Sequence, residues 1–87
     1  MDSYCNSNVV ETRTLKTGEG WLFRVIINDT GTSGSFIEIY DNTAASGKLI
    51  AKIDPNTDSV RLYDLPFAIG LTYKSNGAPG NFTVVYQ

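Results

Sequence analysis

Apolar residues in this chain return at every second position, in short runs cut by clusters of Gly, Asn, Asp, Ser and Pro. Side chains on a strand alternate between two faces, so this pattern builds strands with one face on a core rather than helices. Trp21, Phe23, Val25 and Ile27 share one parity and are expected to face that core, with Leu22, Arg24, Ile26 and Asn28 on the other. Ile37 and Ile39 share a face opposite Phe36, Glu38 and Tyr40. Leu49, Ala51 and Ile53 alternate with Lys48, Ile50 and Lys52, and Val60 and Leu62 alternate with Arg61 and Tyr63. Phe67, Ile69, Leu71 and Tyr73 form one more apolar parity, and Phe82, Val84 and Tyr86 the last. A more polar run, Val9 to Thr14, reads as an edge strand. The pattern gives about seven strands.

The breaks between strands have mechanisms of their own. Thr17-Gly18-Glu19-Gly20, Asp29 to Gly34, Asp41 to Gly47, Asp54 to Asp58 and Ser75 to Gly80 separate the apolar runs. Gly supplies positive φ, Asn and Asp bond their own backbone, and Pro fixes φ, so each cluster is a turn. Short links between regularly spaced strands predict an all-β domain, an antiparallel sandwich or small barrel. No significant helix is expected; Ala44-Ala45-Ser46 makes one turn at most. Residues 9–87 form a single β domain, since two cores in so short a chain would each be too small to fold. Residues 1–8 have no apolar run and are expected to be a flexible N-terminal arm.

Composition narrows the chemistry. Seven basic residues against nine acidic ones leave a net charge of −2, with no basic stripe to neutralise phosphates, so nucleic-acid binding is disfavoured. There is no histidine and only one cysteine, Cys5, which removes zinc sites, histidine acid–base catalysis and an internal disulfide together. The first residues lack a basic and an apolar signal region, and no run of about eighteen apolar residues could form a membrane-spanning helix. The start of the chain reads as that of a protein made in a cytoplasm, so the sequons Asn28-Asp29-Thr30 and Asn81-Phe82-Thr83 are expected to be accidental. No catalytic arrangement emerges either. Cys5 and the serines lack a base, and Glu38 and Asp64 have no cleft to share. Asp54-Pro55-Asn56-Thr57-Asp58 opens like a calcium loop, but Ser59 stands where the loop needs Gly and Leu65 where it needs Glu. No enzyme activity and no cofactor are expected. Binding remains: Trp21 and Phe23 are assigned to packing, and Tyr40 and Tyr63 to the surface. In the arm, Tyr4 is the expected anchor for a partner, with Asn6 and Asn8 beside it and backbone groups free to join a strand edge.

Two segments together resemble a known group. Phe36-Ile37-Glu38-Ile39-Tyr40-Asp41 followed by a small-residue turn, Gly47 and Lys48 to Asp54 is one. Phe67 to Tyr73, Gly77-Ala78-Pro79-Gly80 and Thr83-Val84-Val85-Tyr86 make up the other. Across residues 20–87 this pattern resembles the small virion proteins of tailed bacteriophages, among them head decoration, or cement, proteins. The resemblance implies a structural role on the outer face of an assembled capsid, with the major capsid protein as partner, a homotrimeric state, and synthesis in the host cytoplasm. A head-completion or tail component is the neighbouring reading. A carbohydrate-binding β-sandwich module and a cytoplasmic β adaptor are alternatives from other classes. Open edges at Val9–Thr14 and Phe82–Tyr86 are the expected sites of self-association.

Overall fold

The computed structural model describes residues 3–87, and Met1 and Asp2 of the expected arm lie outside it. Eight strands form: β1 (Ser3–Ser7), β2 (Thr12–Thr17), β3 (Gly20–Asp29), β4 (Phe36–Asp41), β5 (Lys48–Ile53), β6 (Val60–Phe67), β7 (Gly70–Asn76) and β8 (Asn81–Tyr86). They make two antiparallel sheets of four, ordered β1-β8-β3-β6 (sheet A) and β2-β7-β4-β5 (sheet B). The domain is an all-β sandwich, and its strand order is that of an eight-stranded jelly roll. Only β4 and β5 are joined as a hairpin within one sheet; every other connection crosses between the sheets.

The inner faces enclose Leu22, Val25, Ile37, Ile39, Ile53, Leu71, Tyr73, Phe82 and Val84, all fully buried. Tyr73 and Phe82 meet edge to face with centroids 5.4 Å apart and planes at 88°, the arrangement their ring quadrupoles favour. Each sheet therefore has one dry face and one turned outward.

Several sequence expectations are corrected by bulges, which a strict period of two cannot register. On β3 the register shifts between Leu22 and Arg24, so the parity changes at Phe23. Leu22 and Val25 are buried as a result, Ile27 packs against them, Phe23 is only half-buried, and Trp21 stays 37 % exposed. A second shift opposite Ile39 and Tyr40 puts Leu49 outside while Ala51 and Ile53 go in. The run Phe67 to Tyr73 is two strands in different sheets rather than one, and Ile69 lies exposed in the turn between them. Residues 3–7 of the expected free arm are strand β1, paired without a break to β8 from Ser3↔Tyr86 to Ser7↔Phe82. That strand occupies the edge of Phe82–Tyr86 expected to be open, and β8 is an interior strand. The polar run after Val9 does supply an edge, as β2.

Candidate functional site

The outer face of sheet A is built in cross-strand rows. Tyr4 pairs with Val85, Val85 with Arg24, and Arg24 with Leu62; one step along, Asn6 pairs with Thr83, Thr83 with Ile26, and Ile26 with Val60. Paired residues of an antiparallel sheet point the same way, so these eight side chains share the outward surface. Arg24 is the one charge among them. Leu62 and Tyr4, 77 % and 74 % exposed, end the first row at opposite edges of the sheet.

A ladder of uncharged amides completes this face. Asn6 Nδ2 donates to Asn81 Oδ1 at 2.9 Å and to Thr83 Oγ1 at 3.0 Å. Asn28 Nδ2 donates to the same two oxygens at 2.8 and 3.0 Å, and Asn81 Nδ2 returns a bond to Asn6 Oδ1 at 3.1 Å. Asn28 and Asn81, the asparagines of the two sequons, thus meet in one network with Asn6. Nothing in a single strand announces this, because the partners are brought together only by the β1–β8–β3 pairing.

The corner between β1 and β2 fixes β1 in place. Ser7 Oγ donates to Glu11 Oε1 at 2.8 Å, and the Tyr73 hydroxyl donates to the same oxygen. These two bonds hold the Glu11 carboxyl below the usual carboxylate range against a smaller opposing effect of burial. Burial, and then the Glu11 bond, push the Tyr73 hydroxyl up. Arg13 Nη1 donates to Cys5 Sγ at 3.4 Å, so the single thiol is used in joining the two sheets.

At the other end of the sandwich, Asp41 secures the turn between β6 and β7. Its buried carboxylate accepts the backbone N–H groups of Ala68 (3.0 Å), Ile69 (2.8 Å) and Gly70 (3.3 Å). Burial alone would raise the Asp41 pKa, but the three backbone donors outweigh it and the carboxyl sits below its ordinary value. Close by, Trp21 Nε1 donates to Asp64 Oδ1 at 2.6 Å, with Asp64 in a left-handed conformation (φ 53°) at the β6 bulge. A shallow cleft of about 430 Å³ lies between Trp21, Pro66 and Phe67, bordered by Lys16 and Glu19.

The sequence-expected binding residues are scattered. Tyr4 and Asn6 stand together on the outer face of sheet A, and Asn8 is exposed just beyond β1. Tyr40 belongs to the opposite surface, outside sheet B, where its hydroxyl donates to Glu38 Oε1 at 3.2 Å. Tyr63, expected at the surface, is half-buried: it shares the inward parity of Leu65 and Phe67, its ring packs against the core and its hydroxyl is buried without a partner. Ile26, Val60 and Leu62, absent from the sequence reading of the site, make much of its apolar surface, while Val85 lies buried between its neighbours at 8 % exposure. The acidic turn is self-satisfied, with Asp54 Oδ1 accepting the Asn56 N–H and Asp58 Oδ2 accepting the Asp54 N–H, each at 2.9 Å. Among the described residues no group of three or more Cys, Asp or Glu is arranged to hold a metal ion. In comparisons with known proteins, no family model and no curated protein matches the chain.

Proposed function

We propose that this chain is a non-enzymatic structural protein of a tailed-bacteriophage virion, a decoration or cement protein. In this reading it self-associates as a homotrimer and binds the major capsid protein on the outer face of the head. The observation that supports the reading is the outer face of sheet A, where Tyr4, Ile26, Val60 and Leu62 and the amide ladder surround the single charge of Arg24. Depletion of charge with aromatic and apolar enrichment marks the centre of protein interfaces, and amide and hydroxyl groups suit a wet rim. The molecule measures 32 × 25 × 16 Å, so its broad face offers at most about 800 Å², near the area each partner contributes to a standard interface. Jelly rolls serve both as viral shell domains and as lectins, a likeness of fold that supports the reading only by analogy. Repetition over a capsid lattice multiplies weak contacts, which suits a domain this small.

Co-sedimentation with purified capsids tests the reading. The wild-type protein should pellet with capsids, Ile26→Lys should not, and Glu38→Gln on the opposite surface should behave as wild type. Equal binding by all three would overturn it. A second reading, glycan binding, is favoured by the part-exposed Trp21 beside acidic and basic groups in the cleft. Quenching of Trp21 fluorescence by oligosaccharides, with no capsid binding, would select it.

A further inference from the structure

Sheet A ends in β1 and β6, and β1 is guarded far less than either edge of sheet B. β2 carries Arg13 and Lys16 and a bulge, and β5 carries Lys48 and Lys52, the devices that keep exposed edges from pairing. β1 has no charge, no proline and an unbroken register. β6 carries Arg61 and Asp64, but Arg61 lies 3.7 Å from Asp58 of its own chain. The bulge and Pro66 lie beyond Leu62, which leaves the backbone of the Val60–Leu62 stretch regular.

The backbone groups of these edges can be assigned. Trp21 and Gln87 exchange both backbone hydrogen bonds at 2.8 Å, so alternation along β8 turns the amides of Phe82, Val84 and Tyr86 toward β1. Their partners there are Ser7, Cys5 and Ser3, and the backbone groups of Tyr4 and Asn6 therefore face away from the sheet. On the far side the Ile27 N–H donates to the Ser59 carbonyl at 2.6 Å. The next hydrogen-bonded pair is Val25 with Arg61, so the backbone groups of Val60 and Leu62 also face outward.

We infer that β6 of one copy pairs with β1 of a second copy of this chain, Leu62 opposite Tyr4 and Val60 opposite Asn6. Three features fit the edges to each other. β1 and β6 run antiparallel within the sheet, so copies placed side by side in one orientation meet antiparallel at the joint. The outward backbone groups fall on matching alternate residues, and both joined pairs are of the hydrogen-bonded kind. The joint also continues the existing rows, covering Leu62 and Tyr4, the two most exposed large apolar side chains, with each other. The contact is head to tail and closes into a ring where the rotation between copies allows. It deepens the self-association of the proposed reading by naming its surfaces, and leaves the middle of the sheet A face, Arg24, Ile26 and the Asn28–Asn81–Thr83 part of the ladder, for the capsid.

Cross-linking of the full chain in a Cys5→Ser background tests the pairing. Hydrogen-bonded pairs have Cα atoms about 5.5 Å apart, within the range a disulfide spans. Tyr4→Cys and Leu62→Cys, each inert alone under mild oxidation, should give a cross-linked heterodimer when mixed. Homodimers of Tyr4→Cys alone, or an oligomeric protein whose mixture gives no cross-link, would overturn the inference. A second variant guards against misfolding: Leu62 is exposed, so Leu62→Lys should keep its melting temperature while light scattering shows loss of the oligomer. An unchanged oligomer in Leu62→Lys, or a monomeric wild type at every concentration, would also overturn it. Capsid binding separates the two claims: cross-linking without capsid binding removes the capsid reading alone, and capsid binding by a monomeric wild type removes the edge pairing alone.

Discussion

The two outward surfaces of the sandwich are built on the same strand geometry and differ in what they present. Outside sheet B a row runs from Thr12 to Lys74, Glu38 and Lys52, alternating in charge, and Lys52 Nζ also lies 4.9 Å from the Phe36 ring centroid. The next row, Thr14, Thr72, Tyr40 and Leu49, is partly covered by the loop after β4, where Thr14 Oγ1 donates to the Thr43 carbonyl and Thr72 Oγ1 to the Asn42 carbonyl. Outside sheet A the corresponding rows hold apolar and amide side chains with Arg24 as their single charge. Well-hydrated charges keep one surface in water, whereas the other loses little by being covered. The lesson is that exposure alone does not separate the two faces; their difference in charge does.

The largest expected effect tests which side of β3 belongs to the core. Leu22→Ala should cost about 2–5 kcal/mol, while Trp21→Ala, half in solvent, should cost well under that. Equal losses in urea unfolding would undo the division of faces. Next in size is Asp41, whose removal affects the β6–β7 turn joining the two sheets. Asp41→Ala should cost about 2–3 kcal/mol, since three backbone donors lose a charged acceptor. The pKa of Asp41, like that of Glu11, is lowered by folding, so its stabilisation is complete above the ordinary carboxylate range and fades as pH falls through the depressed value. Asp41→Asn should flatten the acid limb of a stability–pH curve; an unaltered limb would assign acid sensitivity elsewhere. Smaller still, Asn81→Ala should cost about 1 kcal/mol by opening the amide ladder. Glu38→Gln with Lys74→Ala should stay within about 0.5 kcal/mol by thermal melting and leave assembly untouched, as expected of solvated charges.

The sequence made the strands and turns legible, and with them the sandwich, because each is a local signal: alternation for Phe36–Tyr40, a Gly or Pro cluster for each break. The outer face of sheet A was half legible. Tyr4 and Asn6 stood out as polar-aromatic residues of the arm, but the sequence Ser-Tyr-Cys-Asn-Ser carries no apolar alternation, so β1 could be seen only once β8 was beside it. Val60 and Leu62 alternate with Arg61 and Tyr63, and only the buried Phe67 and half-buried Leu65 farther along β6 show that the Val60–Leu62 parity is the outward one. Asn28 and Asn81 lie in different strands, and their shared network depends on register, which no short window of sequence contains.

The pairing of β1 with β8 also governs time. Asn6 reaches Thr83 across 77 residues, and most other neighbours in the sheets are likewise distant in sequence, because a single hairpin is the only local strand pair. Chains that must close such long loops before contact rewards them fold slowly, on the order of milliseconds to seconds for all-β domains. Until β8 is in place β1 has no partner, and its uncharged edge is bare in an incompletely folded chain. The uncharged β1 edge therefore sets a concentration limit on refolding, above which intermediates should capture one another before the sheet is complete.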